Sequence, residues 1–96
     1  MNKLSKFSEE ELKEQMKKLK RYMSDSEFFY QNYEGLRRKY PDEWIAVFNQ
    51  KIIAHHRDYN KLIEKLKETG IDIHEVYIDR TYFKEKRPKL LLAQLD

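Results

Sequence analysis

The sequence predicts an α+β fold: a helical arm of two helices, then a small ββαβ(β) sheet, antiparallel or mixed, packed on one helix. Three observations predict it. Apolar residues recur at helical spacing from Leu12 to Tyr40, at strand spacing from Trp44 to Ala54, and at helical spacing again from Tyr59 to Leu66. Pro41 ends the first stretch and Gly70 follows the third, and both residue types end helices. Within the second stretch, Asn49-Gln50 is a polar two-residue turn between two apolar strands.

The first helix starts at Ser8. Ser8 as N-cap and Glu11 at N3 make a capping box, and Phe7 with Leu12 makes a hydrophobic staple. Leu12, Met16, Leu19 and Met23 follow at 4, 3, 4 spacing, the narrow seam of a helix lying along one partner. Ser24-Asp25-Ser26 then interrupts the pattern and offers a fresh N-cap. A second helix is expected from about Glu27 to Lys39, carrying Phe29, Tyr33, Leu36 and Tyr40. Gly35 weakens it by about 1 kcal/mol. The expected joint is Ser24, and the residues leave open whether the pair forms a bent rod or a hairpin.

With Asn49-Gln50 as the loop, Phe48 faces Lys51, Val47 faces Ile52, Ala46 faces Ile53 and Ile45 faces Ala54. Alternation then puts Ile45, Val47, Ile52 and Ala54 on one face, and Trp44, Ala46, Phe48 and Ile53 on the other. Both faces are apolar, and one helix covers only one of them. The second cover must be the helical arm, a second subunit, or both. The third helix is capped by Asp58, carries Tyr59, Leu62, Ile63 and Leu66, and stops at Gly70 with Ile71 behind it. A strand over Glu75–Asp79, a basic loop over Arg80–Pro88 and an apolar end over Leu90–Leu95 complete the chain. That end reads as a fourth strand, although it also fits a turn of helix. Ile45, Val47, Ile52, Leu62, Leu66 and Val76 are the expected core. Residues 1–39 form the arm and 40–96 the small α+β domain, within one folding unit.

Residues from Tyr40 to about Leu95 resemble a small prokaryotic domain family of unknown function, built as a hairpin, a helix and one or two further strands. Tyr40-Pro41, Trp44-Ile45-Ala46-Val47, Lys51-Ile52-Ile53-Ala54-His55, Leu62, Leu66 and Gly70-Ile71-Asp72 carry the resemblance, with Pro88 to Leu92 after them. It covers about three fifths of the chain, and Asn49-Gln50 departs from the glycine-containing turn usual there. The resemblance implies a fold, and it supplies no catalytic residue.

The composition, 96 residues with 40% hydrophobic and 39% charged side chains, is that of a globular domain rather than a disordered chain. The absence of cysteine excludes disulfides and thiolate metal sites. The first residues lack the apolar run of a signal peptide, and no apolar stretch is long enough to span a membrane. A soluble, cytoplasmic protein is expected. High Lys and Glu without Cys would suit a thermophilic prokaryote.

His55, His56 and Asp58, with His74, have the residue types of a zinc site. Yet adjacent strand residues point to opposite faces, and Asp58 is already used as a cap, so no metal is expected. No serine or threonine sits in a nucleophile elbow, no glycine-rich phosphate loop is present, and Asp72, Glu75 and Asp79 read as a solvated edge. An enzyme, a cofactor and a small-molecule substrate are therefore not expected. Charge is the more informative signal. The acids and bases of residues 9–21 follow the helix dipole. In contrast, Arg37, Arg38 and Lys39, and then Arg80, Lys84, Lys86, Arg87 and Lys89, carry little compensating acid. Phosphate and acidic proteins are the partners such clusters suit. The expected function is a non-catalytic homodimer that binds a ribosomal subunit or other structured RNA and silences translation by bridging or masking particles. Leu12, Met16, Leu19, Met23, Phe29 and Tyr33 are the expected helix-packing and dimer residues. The alternative is an antitoxin-like, protein-binding regulator that uses the arm.

Overall fold

The structure, a computed structural model, describes residues 8–82. Its elements are α1 (Glu9–Gln31), α2 (Tyr33–Lys39), β1 (Trp44–Phe48), β2 (Lys51–His56), α3 (Tyr59–Lys67), a 3₁₀ turn (Ile73–Glu75) and β3 (Tyr77–Arg80). The strands form one sheet in the order β2-β1-β3, with both pairings antiparallel. The α+β class is as the sequence predicts. The third strand begins two residues later than expected, because Ile73–Glu75 coils into a 3₁₀ turn capped by the Asp72 carboxylate. The expected strand at Leu90–Leu95 and the hydrophobic partner Phe7 lie outside the described residues.

Ser8 caps α1 as the capping box requires: its hydroxyl accepts from Glu11 N at 3.1 Å, and its N–H donates to Glu11 Oε1 at 2.8 Å. The expected joint at Ser24 is wrong. The helix runs straight through Ser24-Asp25-Ser26 and breaks only at Asn32. Asp25 favours a cap only when its side chain is free to bond the local backbone. Here it is fully buried, and its carboxylate accepts from Asn49 N at 3.1 Å and Gln50 N at 2.7 Å. The helix carboxylate thus caps the hairpin turn.

That turn is Asn49-Gln50, as expected, with φ of 56° at both residues, the two left-handed residues of a type I′ hairpin. Gln50 is strained there, so Gln50→Gly should relieve the backbone by about 1 kcal/mol while forfeiting its side-chain bond to Asp25. A urea midpoint that rises or holds level is the expected result; a fall would show that the side-chain bond outweighs the strain.

Pairing near the turn is as read, Phe48 with Lys51 and Val47 with Ile52, but the register shifts between Ala46 and Val47. Ala46 pairs with Ala54 and Ile45 with His55, one residue beyond the expected partners. Ile53 is the extra residue of a β-bulge. The bulge moves Ala54 to the opposite face from Ile45 and Val47. The expected single core separates into two because α3 packs on the Ala46 face and the arm on the Ile45 face. Ile45 and Val47, with Ile52 beside them, pack against Phe29, Tyr33, Leu36 and Tyr77 beneath the arm. Ala46, Ala54, Leu62, Leu66 and Val76 pack beneath α3, flanked by Trp44, Phe48 and Ile53. The chain's own arm therefore covers the second sheet face, and that face needs no second subunit. Phe29 and Tyr33, expected at a dimer contact, are buried in this core.

Two polar anchors complete the packing. The fully buried Thr81 hydroxyl donates to the Tyr40 carbonyl and accepts from Glu43 N at 3.1 Å, tying the end of β3 to the entry of β1. Beneath the hairpin, the Arg21 guanidinium lies 4.4 Å from the centre of the Phe48 ring and 2.5 Å from Glu75, which Lys18 also reaches at 3.2 Å. These ion pairs hold the middle of α1 to the 3₁₀ turn.

Candidate nucleic-acid interface

Antiparallel pairing brings three chain segments to one pole of the sheet, where β1 begins and β2 and β3 end. Trp44 lies between His56 and Arg80 in the pairing, and α2 delivers Arg37, Arg38 and Lys39 just before β1. Arg57 follows the last residue of β2 and is exposed. Of the residues expected from sequence, Arg37, Arg38, Lys39 and Arg80 are thus gathered at one pole. Lys84, Lys86, Arg87 and Lys89 lie outside the described residues; in sequence they follow Tyr82, which packs at the same pole beside Arg80. Arg57 was missed because nothing in its own neighbourhood marks it. Its signal is positional, since a strand that returns from the hairpin must end beside the start of β1.

The cations stand among aromatic rings. The Arg80 guanidinium lies 5.6 Å from the Trp44 ring centre and 5.7 Å from that of Tyr82. Lys39 Nζ lies 5.5 Å from the Tyr40 ring centre, and Tyr40 stacks at 4.1 Å on His55. Trp44 meets Tyr59 edge-on at 5.1 Å. Acids are present too. Arg37 bonds Glu34 at 2.8 Å, Arg38 approaches the same carboxylate at 4.0 Å, and Arg80 lies 4.0 Å from Asp42. Arg38 is nonetheless 77% exposed, so its charge faces solvent.

Two shallow clefts open beside β2. One, of about 300 Å³, is lined by Glu43, His55, His56, Arg57 and Lys65. The other, of about 510 Å³, is lined by Tyr40, Ile52, Ile53, Ala54, His55, Lys65 and Glu68. The histidines that suggested a metal are otherwise engaged. His55 Nδ1 lies 2.6 Å from Glu43 Oε1, and His56 Nδ1 accepts from Asp58 N at 2.9 Å. Asp58 caps α3 through Asn60 N at 2.8 Å, the role read from sequence. His74 bonds Asp72 at 3.1 Å, far along the fold at the 3₁₀ turn. There the His74 N–H and ring hold the exposed Asp72 carboxyl below its ordinary range. That contribution is present at neutral pH and is lost as pH falls through the lowered value.

On the opposite side, Tyr77 and Tyr30 both donate to Asp79 Oδ2, at 2.6 and 2.9 Å. Burial, with the bond to Asp79, holds the Tyr77 phenol well above its usual value, so it remains a donor. This cluster joins α1 to β3 and is accounted for by packing.

Residues 36–78 match the model of a family of unknown function, DUF5678. The DUF5678 segment takes in the end of α2, the hairpin, α3 and the start of β3, an uncharacterised domain that agrees with the resemblance read from sequence. It includes Arg37, Arg38, Lys39 and Arg57 of the pole and leaves α1 outside. No curated protein and no solved structure matches the chain. Among the described residues, no helix is long and apolar enough to cross a membrane.

Proposed function

We propose that this protein is a non-catalytic, homodimeric cytoplasmic factor that binds a ribosomal subunit or other structured RNA, with translational silencing as the consequence. The observation that supports it most is the convergence at one pole of Arg38, Lys39, Arg57 and Arg80 with Tyr40, Trp44 and Tyr82. Cations beside aromatic rings suit a phosphate backbone and the bases or sugars next to it. The sequence then adds Lys84, Lys86, Arg87 and Lys89 against Glu85 alone. The homodimer rests on the exposed seam of α1, since the sheet faces are both covered.

Co-sedimentation with ribosomal particles tests this reading. Replacing Lys84, Lys86, Arg87 and Lys89 with Gln should weaken binding by at least about tenfold at moderate salt, and adding Arg38→Gln and Arg57→Gln should weaken it further. Unchanged binding, or none by the parent, would favour the second reading: a protein-binding regulator that uses the arm as an amphipathic helix. The exposure of Leu12, Met16, Leu19 and Met23 supports that alternative.

A further inference from the structure

The two clefts beside β2 share His55 and Lys65. β2 is an edge strand, and its last residues set His55 on the arm side, against Tyr40, and His56 on the α3 side, against Asp58. The smaller cleft therefore wraps the free edge of the strand, with one imidazole on either side.

Hydrogen bonds fix what each ring presents there. His55 Nδ1 lies 2.6 Å from Glu43 Oε1. A carboxylate only accepts, so Nδ1 carries the proton, and in the neutral ring Nε2 keeps the lone pair. His56 is the reverse. Its Nδ1 accepts from Asp58 N at 2.9 Å, and a backbone N–H only donates, so the proton of that ring sits on Nε2. Among the described residues, neither Nε2 has a hydrogen-bond partner. Lys65 Nζ donates to the His55 carbonyl at 3.2 Å, which spends one of its three protons. Apart from Glu43, already engaged by His55, the side chains of the cleft thus offer one acceptor, His55 Nε2, among the donors of His56, Arg57 and Lys65.

We propose that this cleft takes one unpaired ribonucleotide of the bound RNA. His55 Nε2 accepts from its 2′-hydroxyl, while His56, Arg57 and Lys65 donate to an adjoining phosphate. This rests on the RNA reading above and names the feature by which the pole tells RNA from DNA. Phosphate oxygens only accept, and the 2′-hydroxyl is the one donor on the sugar-phosphate backbone that RNA has and DNA lacks.

The clefts also follow the order of a nucleotide. The larger has aromatic and aliphatic surface from Tyr40, Ile52, Ile53 and Ala54, which suits the faces of a base. Glu68 in the same cleft repels phosphate and suits an amino group on the edge of a base. His55 and Lys65, common to both clefts, stand where the ribose would be, and His56 and Arg57 belong to the cationic cleft alone. Within a duplex the base faces are stacked and the edges paired, so only an unpaired nucleotide enters, as in a loop or bulge of a structured RNA.

Short oligoadenylates of equal length, with ribose, 2′-deoxyribose or 2′-O-methylribose, test this on the full chain at about pH 8, above the range in which an ordinary imidazole titrates. The ribose strand should bind about tenfold tighter than either of the others, because only it supplies the donor. Nitrogen NMR of the rings should find His55 protonated at Nδ1 and His56 at Nε2. His55→Phe, which keeps an aromatic ring against Tyr40, should bring the ribose strand down to the affinity of the deoxyribose strand. His74→Phe, at the 3₁₀ turn, should leave the ribose preference intact. Should His55→Phe not fold, the comparison of the three strands on the parent carries the same test. Equal binding of the three strands, or a His55 protonated at Nε2 instead of Nδ1, would overturn the inference. Equal binding that still weakens when Arg38→Gln and Arg57→Gln are combined would leave the basic pole standing without the ribose contact. Binding of no strand would also overturn the ribonucleotide site, and co-sedimentation with ribosomal particles would then decide the pole by itself.

Discussion

Replacing Phe29 with Ala is expected to destabilise the protein by about 3–5 kcal/mol, the largest effect of any single substitution considered. Phe29 is fully buried at the centre of the arm-side core, edge-on to Tyr30 at 5.4 Å and Tyr33 at 5.7 Å, and tilted against Tyr77 at 5.9 Å. Ile45, Val47 and Leu36 complete its surroundings. Removing the ring forfeits its transfer energy and leaves a cavity between helix and sheet that neither element can close without losing its other contacts. A domain of this size holds about 5–15 kcal/mol in all, so the variant should be partly unfolded at 37 °C. Urea titration with Leu19→Ala as the exposed control checks it. The control should stay within about 0.5 kcal/mol of the parent. If Phe29→Ala also cost less than about 1 kcal/mol, the arm would not be docked on its own sheet.

Asp25→Ala is expected to cost about 2–4 kcal/mol, more than a surface acid on a helix would suggest. The Asp25 carboxylate receives both N–H groups of the hairpin turn and the Gln50 amide, all donated to a charged acceptor in a site without solvent access. Truncation removes the shared acceptor of those donors and leaves a turn of two left-handed non-glycine residues without its cap. Asp25→Asn keeps one acceptor oxygen and should lose roughly half as much. The amide exchange of Asn49 and Gln50 separates this account from a general loss of helix stability. Those two amides should gain exchange first in Asp25→Asn. Equal acceleration throughout α1 would contradict the turn-capping role.

Much of the fold was legible because its signals are local. Ser8 with Glu11, Asp58 before α3 and the Asn49-Gln50 turn each lie within a few residues of the partners they determine. The errors share a different cause. Ser24-Asp25-Ser26 has the composition of a helix start, but the partner that keeps the helix intact is a turn 24 residues away. The bulge at Ile53 depends on how two strands settle against different helices, and alternation alone assigned Ala54 to the wrong face. The pole was legible in part. Arg37, Arg38, Lys39 and Arg80 were found as local charge clusters, whereas Arg57 joins them only because three strand ends meet.

The central claim, that a basic pole holds the phosphates of structured RNA, is tested most directly by the salt dependence of binding. Affinity for purified ribosomal particles should be measured across a series of monovalent salt concentrations. Each phosphate contact should add roughly 0.7–0.9 to the slope of log affinity against log salt, so four or more contacts predict a slope of about −3 or steeper. The Lys84, Lys86, Arg87 and Lys89 to Gln variant should be shallower by about 3. A parent slope near zero, or a slope unchanged by those substitutions, would contradict the account.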